Sequence, residues 1–228
     1  MMQSHRSLSI ATPKTTTALV VALVALCLLA GCQTAQYKAL ESVGIEKRDI
    51  LADRVEDARD AQDDAKEQFV SALDQFRATV EFDGGDLERM YDRLNGQYER
   101  SVDRAERVSD RIDAIERVAE DLFEEWEDEL DQYQNPNLRA TSQDLLRDTQ
   151  SRYRRMLSSM RSAEQTMPPV LEAFEDQVLF LKHNLNSRAV SALRDELGSI
   201  ENETDELVAA MEASIAEANE FIDSLQQG

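Results

Sequence analysis

Residues 87–126 read LERMYDRLNGQYERSVDRAERVSDRIDAIERVAEDLFEEW. Alternate steps of four and three from Leu87 land on Tyr91, Leu94, Tyr98, Ser101, Ala105, Val108, Ile112, Ile115, Ala119, Leu122 and Trp126. Ser101 alone interrupts an apolar or aromatic series. A repeat of 3.5 residues keeps one seam facing a partner along a whole helix, as in a coiled coil. Asp, Glu and Arg fill most of the other positions, so the remaining faces are solvated. So long a single-seamed helix needs partners, and the rest of the chain must supply them.

Upstream, one helical pattern runs from about Gln36 to Phe82. Leu51, Val55, Ala58, Gln62, Ala65, Phe69, Ala72 and Phe76 keep the same spacing, and neither Gly nor Pro falls between Ile45 and Asp83. The small middle of that seam, Ala58 to Ala65, predicts close approach of a partner backbone there. Asp83-Gly84-Gly85-Asp86 then breaks the pattern. Glycine supplies a left-handed cap and Asp86 a good N-cap, and so short a turn implies an antiparallel hairpin. The second helix should run to about Tyr133 and stop at Asn135-Pro136-Asn137.

A third seam comes next as Leu146, Thr149, Tyr153, Met156, Met160, Ala163 and Met167, and apolar residues resume after Pro168-Pro169 with Val170, Leu171, Phe174, Val178, Leu181 and Leu185. The last runs Leu193, Leu197, Ile200, Thr204, Leu207, Met211, Ile215, Ala218, Ile222 and Leu225. Either Pro168-Pro169 is a full break, or it is a kink and the chain turns at Asn184 to Ser187. The kink gives four helices of matched length, and matched lengths let each seam find a partner throughout. Both readings are all-α: an elongated antiparallel helical bundle or coiled coil of three to four long helices, with residues 36–228 as its domain.

Residues 1–31 read as a cleaved signal. Arg6 and Lys14 form a basic start, and Ala18 to Ala30 is an apolar run too short to span a bilayer comfortably. It ends Leu29-Ala30-Gly31-Cys32, which resembles the lipobox of bacterial lipoproteins. Cys32 would then carry the lipid, with residues 32–35 as a short tether to the bundle. By resemblance to lipoprotein sorting in Gram-negative envelopes, Gln33 rather than Asp at the next position implies the outer membrane, facing the periplasm. Cys27 leaves with the signal, so no disulfide can form within the mature chain and packing must supply its stability.

Charge excludes one class of partner. The full chain carries 25 basic and 46 acidic residues, a net −21. The signal holds two of the basic residues and no acid, so the mature chain stands at −23. A nucleic-acid binder needs a basic face, and this chain offers none.

Motifs of catalysis are missing. No Gly is followed by Lys, so there is no phosphate-cradling loop, and nucleophile-elbow and paired-cysteine motifs are absent. The mature chain has one histidine, His183, which excludes a di-iron bundle. It reads as a helix-end or partly packed residue. The expectation is a non-enzyme without cofactor or established metal site. Glu120 to Asp131 places eight carboxylates in twelve residues around Trp126. Such a run reads as a solvated face, and its sharper alternative is loose binding of divalent cations by Glu124, Glu125, Glu127 and Asp128. Met156, Met160 and Met167 read as core filling. Val178-Leu179-Phe180-Leu181 exceeds what one narrow seam can bury, which implies deep packing or, failing that, a partner face.

Several blocks occur together: residues 43–51 (VGIEKRDIL), Gly84-Gly85-Asp86-Leu87, Trp126-Glu127-Asp128-Glu129-Leu130 and residues 181–186 (LKHNLN). In this order they resemble a family of bacterial envelope proteins, mostly gamma-proteobacterial, known as a domain of unknown function and labelled lipoproteins. The resemblance implies a lipidated helical protein and brings no catalytic residues. The function expected is a lipid-anchored periplasmic scaffold or interaction module. Its partners would be the membrane, through the anchor, and either an unknown envelope protein or a second copy. A membrane-remodelling or lipid-binding helical module, bridged to lipid by cations, is the alternative.

Overall fold

A computed structural model describes residues 47–81, 86–184 and 186–227, and every regular element among them is a helix. In chain order these are α1 (Lys47–Val80), α2 (Leu87–Leu130), α3 (Pro136–Gln165), α4 (Met167–His183) and α5 (Ser187–Gln227). Residues Arg48–Gly228 form one compact unit, distinct from Met1–Lys47. The signal segment, Cys32 with its tether, the stretch expected to start the first helix and the Gly84-Gly85 turn all lie outside the described residues.

The first hairpin forms as its ends dictate. The Asp86 side chain accepts the backbone N–H of Arg89 at 3.2 Å, capping α2 while the residue itself stays extended. Ion pairs across the groove set an antiparallel register. Arg111 meets Asp57 and Arg104 meets Asp64, so seven residues forward in α1 is seven back in α2. α2 ends at Leu130, three residues before the expected Tyr133, with Asp131 as its C-cap. Asn135 then caps α3, accepting from the N–H groups of Asn137 and Leu138, while Pro136 opens the helix without wasting a donor.

Pro168-Pro169 is a kink. α3 and α4 are separated by Thr166 alone, whose φ of −83° and ψ of −14° are still right-handed helical. Proline removes two N–H donors and crowds the carbonyls a turn earlier. The Thr166 hydroxyl and backbone N–H both donate to the Ala163 carbonyl, at 2.7 and 3.2 Å, closing α3 just before the prolines. The true reversal comes at Asn184. Its side-chain amide donates to the Phe180 carbonyl at 2.9 Å, and Asn186 accepts from the N–H of Ala189 to start α5. The result is four antiparallel rods, the third being α3 and α4 in line.

The seams form the core. In α1 every seam position from Leu51 to Phe76 is buried, Gln62 included. In α2 burial is complete from Ser101 to Ala119, while Leu87, Tyr91, Leu122 and Trp126 are only half-buried. Met90, Val118 and Leu130 go inside instead. A straight helix drifts by about 20° per heptad against a strict 3.5 repeat, so the buried stripe slides off the seam towards the ends. α5 shows the same slide, burying Ser214 and Phe221 beside the expected Ala218 and Ile222.

Close backbone approach links α2 to α3 and α4, and α5 to α3 and α4. Gln62 reaches across the small centre of its seam to Ser214 on α5, and Phe69 and Phe76 fill the space beyond it.

Candidate functional site

The end of the bundle where α1 begins gathers the most varied chemistry. α2 closes there, α3 opens there and α5 finishes there. Between them lies a pocket of about 470 Å³, walled by Arg48, Trp126, Leu145, Asp148, Thr149, Arg152, Glu220, Asp223 and Ser224. Trp126 is the only tryptophan of the chain. Its Nε1–H donates to the buried Ser142 hydroxyl at 2.9 Å, tying the end of α2 to the start of α3. Arg139 pairs with Asp131 at 2.7 Å across the same turn, and Arg152 pairs with Asp148 on the pocket wall.

Below the pocket, Tyr153 sits at the junction of three helices. Its ring meets Phe123 edge-on at 5.3 Å and Phe221 at 6.3 Å. Burial pushes its hydroxyl up to about 12, reinforced by the charges of Glu116 and Glu120 and opposed by Arg161. Arg161 itself spans α2 and α3. Burial disfavours its charge, but hydrogen bonds to Asp113, Glu164 and Glu116 hold the guanidinium above its ordinary range. These groups lock helices together; none of them is aimed into the pocket.

The acidic run does not make a cation cage. Glu124, Glu127 and Asp128 are exposed and Glu125 is half-buried. Glu127 accepts from the Gln150 side chain at 3.1 Å. Among the described residues, no three His, Cys, Asp or Glu side chains come together so as to hold a metal ion. Consecutive helical positions point 100° apart, so eight carboxylates on one helix fan outwards unless another element supplies the missing ligands. Cys32 lies outside the described residues. His183 is exposed at the last position of α4.

The apolar block on α4 departs from the deep packing expected of it. Val178 and Leu181 are buried, but Leu179 stays 45% and Phe180 40% exposed. α4 has a single inward stripe, and four consecutive apolar residues span more than that stripe covers. Met156, Met160 and Met167 do fill the core.

Other features are new at the level of the structure. Tyr133, Leu138 and Leu145 are exposed by 41, 56 and 51% at the α2–α3 end. Leu138 and Leu145 lie one heptad apart, a signal visible in the sequence once α3 is known to start at Pro136. The Arg161 cluster and the Trp126 bond join residues 16 to 48 positions apart, and no local pattern announces them. α3 also carries an open cationic groove of about 510 Å³, lined by Ser151, Arg154, Arg155, Ser158, Ser159 and Ser162.

No helix among the described residues is long and apolar enough to cross a membrane. A family model described as "Protein of unknown function (DUF2959)" matches residues 36–225. Neither a curated protein nor a solved structure shows significant similarity to the chain.

Proposed function

The chain belongs to this family of unknown function, and from its sequence and its bundle we propose a lipid-anchored, non-enzymatic interaction module of a Gram-negative envelope, on the periplasmic side of the outer membrane. The anchor is read from Leu29-Ala30-Gly31-Cys32 behind an apolar run. The observation that carries the interaction role is the Leu179–Phe180 pair on α4. A bundle that buries its seams this completely has no packing reason to leave two adjacent large apolar side chains in water. A protein partner that covers them removes that exposure.

A photo-crosslinking amino acid at position 180, in the acylated protein within its own envelope, tests the interaction. A discrete adduct is expected from 180 and not from the exposed control position 154. Equal labelling from both positions removes the interaction role. Cys32→Ser tests the anchor separately: it should abolish uptake of labelled palmitate and leave the chain unprocessed or mislocalised. Normal palmitate labelling of that variant would falsify the anchor.

A further inference from the structure

The pocket beside Trp126 holds charges that its own walls leave unmatched. Two guanidiniums, Arg48 and Arg152, share it with three carboxylates, Asp148, Glu220 and Asp223. Arg152 and Asp148 pair with each other at 2.8 Å. Arg48, Glu220 and Asp223 make no ion pair among the described residues, although they line one cavity. The helix register explains the gap. α1 and α5 run antiparallel, Arg59 meeting Asn219 and Arg77 meeting Glu201. Asp223, four residues on from Asn219, is therefore level with Val55, four back from Arg59. Arg48 lies seven residues beyond Val55, about 10 Å along the axis, and Glu220 is farther from it still. The wall also includes Trp126 and Leu145, an apolar surface. Trp126 gives its one polar hydrogen to Ser142, so its ring offers the pocket only carbon.

We infer that this pocket binds a short peptide with both ends free, about three residues long. The carboxylate end of the peptide lies on Arg48, whose planar fork matches two carboxylate oxygens. The ammonium end lies on Glu220 and Asp223, which are three positions apart on α5 and so share a face. Trp126 and Leu145 take an apolar side chain between them. Three extended residues span about 10 Å, the axial distance that separates Arg48 from Asp223. The volume of about 470 Å³ suits a ligand of that size. A simple cation would meet the like charge of Arg48, and a simple anion that of Glu220 and Asp223. A zwitterion with separated charges matches both ends. The wall carries one more carboxylate than guanidinium, so phosphates and nucleotides are refused. Neither the lipid anchor nor the Leu179–Phe180 face enters into this binding.

The single tryptophan makes a direct test possible. Full-length protein, purified as its host processes it, is titrated by calorimetry with alanyl-leucyl-alanine, its N-acetylated form and its C-terminal amide. Saturable heat is expected from the free peptide, together with a change in the emission of Trp126, the only tryptophan. Blocking either end should weaken binding about tenfold or more, the loss of one contact to a charged group. Arg48→Gln should bind the free peptide and its amide equally. Glu220→Gln combined with Asp223→Asn should bind the free peptide and its acetylated form equally. Each comparison is a ratio within one variant, so a loss of folded protein does not mimic it. Absence of heat at millimolar peptide overturns the inference, as does equal affinity of the unaltered protein for all three peptides. Heat without any change at Trp126 overturns it too, because the peptide then sits elsewhere. Tighter binding of the amide than of the free peptide shows a site for cations and has the same consequence. So do end preferences that survive in both variants.

Discussion

Tyr153 shows what the spacing of residues reveals and what it leaves out. Its place on the third seam is legible from the steps Leu146, Thr149, Tyr153, Met156. Its hydroxyl chemistry is not, because Phe123, Phe221, Glu116, Glu120 and Arg161 arrive from other turns and other helices. In the folded chain the hydroxyl holds its proton up to about 12, against an ordinary value near 10. The unfolded chain releases that proton first. Stability contributed at this site is therefore intact below pH 10 and is lost as the pH rises from 10 towards 12. Absorbance at about 295 nm during alkaline titration should show a late tyrosinate step, which Tyr153→Phe deletes. Were the late step to survive the substitution, Tyr153 would not occupy the three-helix junction.

At the scale of the element, the buried polar pair between α1 and α5 is the informative feature. Gln62 takes a seam position, so its burial is legible in the sequence, but its partner Ser214 lies 152 residues away. The slide of the buried stripe in α5 brings Ser214 inside, and a strict heptad would have placed Ile215 there. Ser214 donates to Gln62 Oε1 at 2.8 Å, while Gln62 Nε2 and the Thr204 hydroxyl are buried without a partner. An unpaired buried amide N–H costs about 1–3 kcal/mol, whereas a polar residue in a seam can fix register. Replacing both members, Gln62→Leu with Ser214→Ala, should raise stability by about 1–2 kcal/mol in urea unfolding, since no polar atom of the pair remains buried. Gln62→Leu alone strands the Ser214 hydroxyl and should gain less. A double variant less stable than Gln62→Leu alone would mean that packing, and not polarity, sets the energy of this layer.

For the molecule as a whole, four matched rods and their antiparallel order could be read from seams, breakers and turns. The free surfaces could not, because a 3.5 repeat says which stripe turns inward and nothing about where the neighbouring rods stop. Net charge is the other property legible from the start, and it governs how the bundle responds to salt. The chain carries 21 more acidic than basic residues. Two effects of salt oppose each other. Screening weakens the ion pairs, but many of these join residues three or four apart on one helix surface, as in Arg54–Asp57 and Arg152–Asp148. Exposed pairs of that kind contribute roughly 0.2–1 kcal/mol each. Screening also relieves repulsion among the surplus carboxylates, which folding draws together on four parallel surfaces. From about 0.01 to 0.15 M salt the Debye length shrinks from roughly 30 to 8 Å, so repulsion between charges on neighbouring rods is the interaction most reduced. Repulsion wins, and thermal unfolding followed by circular dichroism should shift upwards by several degrees between those two concentrations of sodium chloride. Sodium sulfate at equal ionic strength should match that shift or exceed it, because sulfate also strengthens apolar burial. A midpoint that falls as salt is added would show that the inter-helix pairs Arg104–Asp64, Arg77–Glu201 and Arg161–Asp113 outweigh the surplus charge.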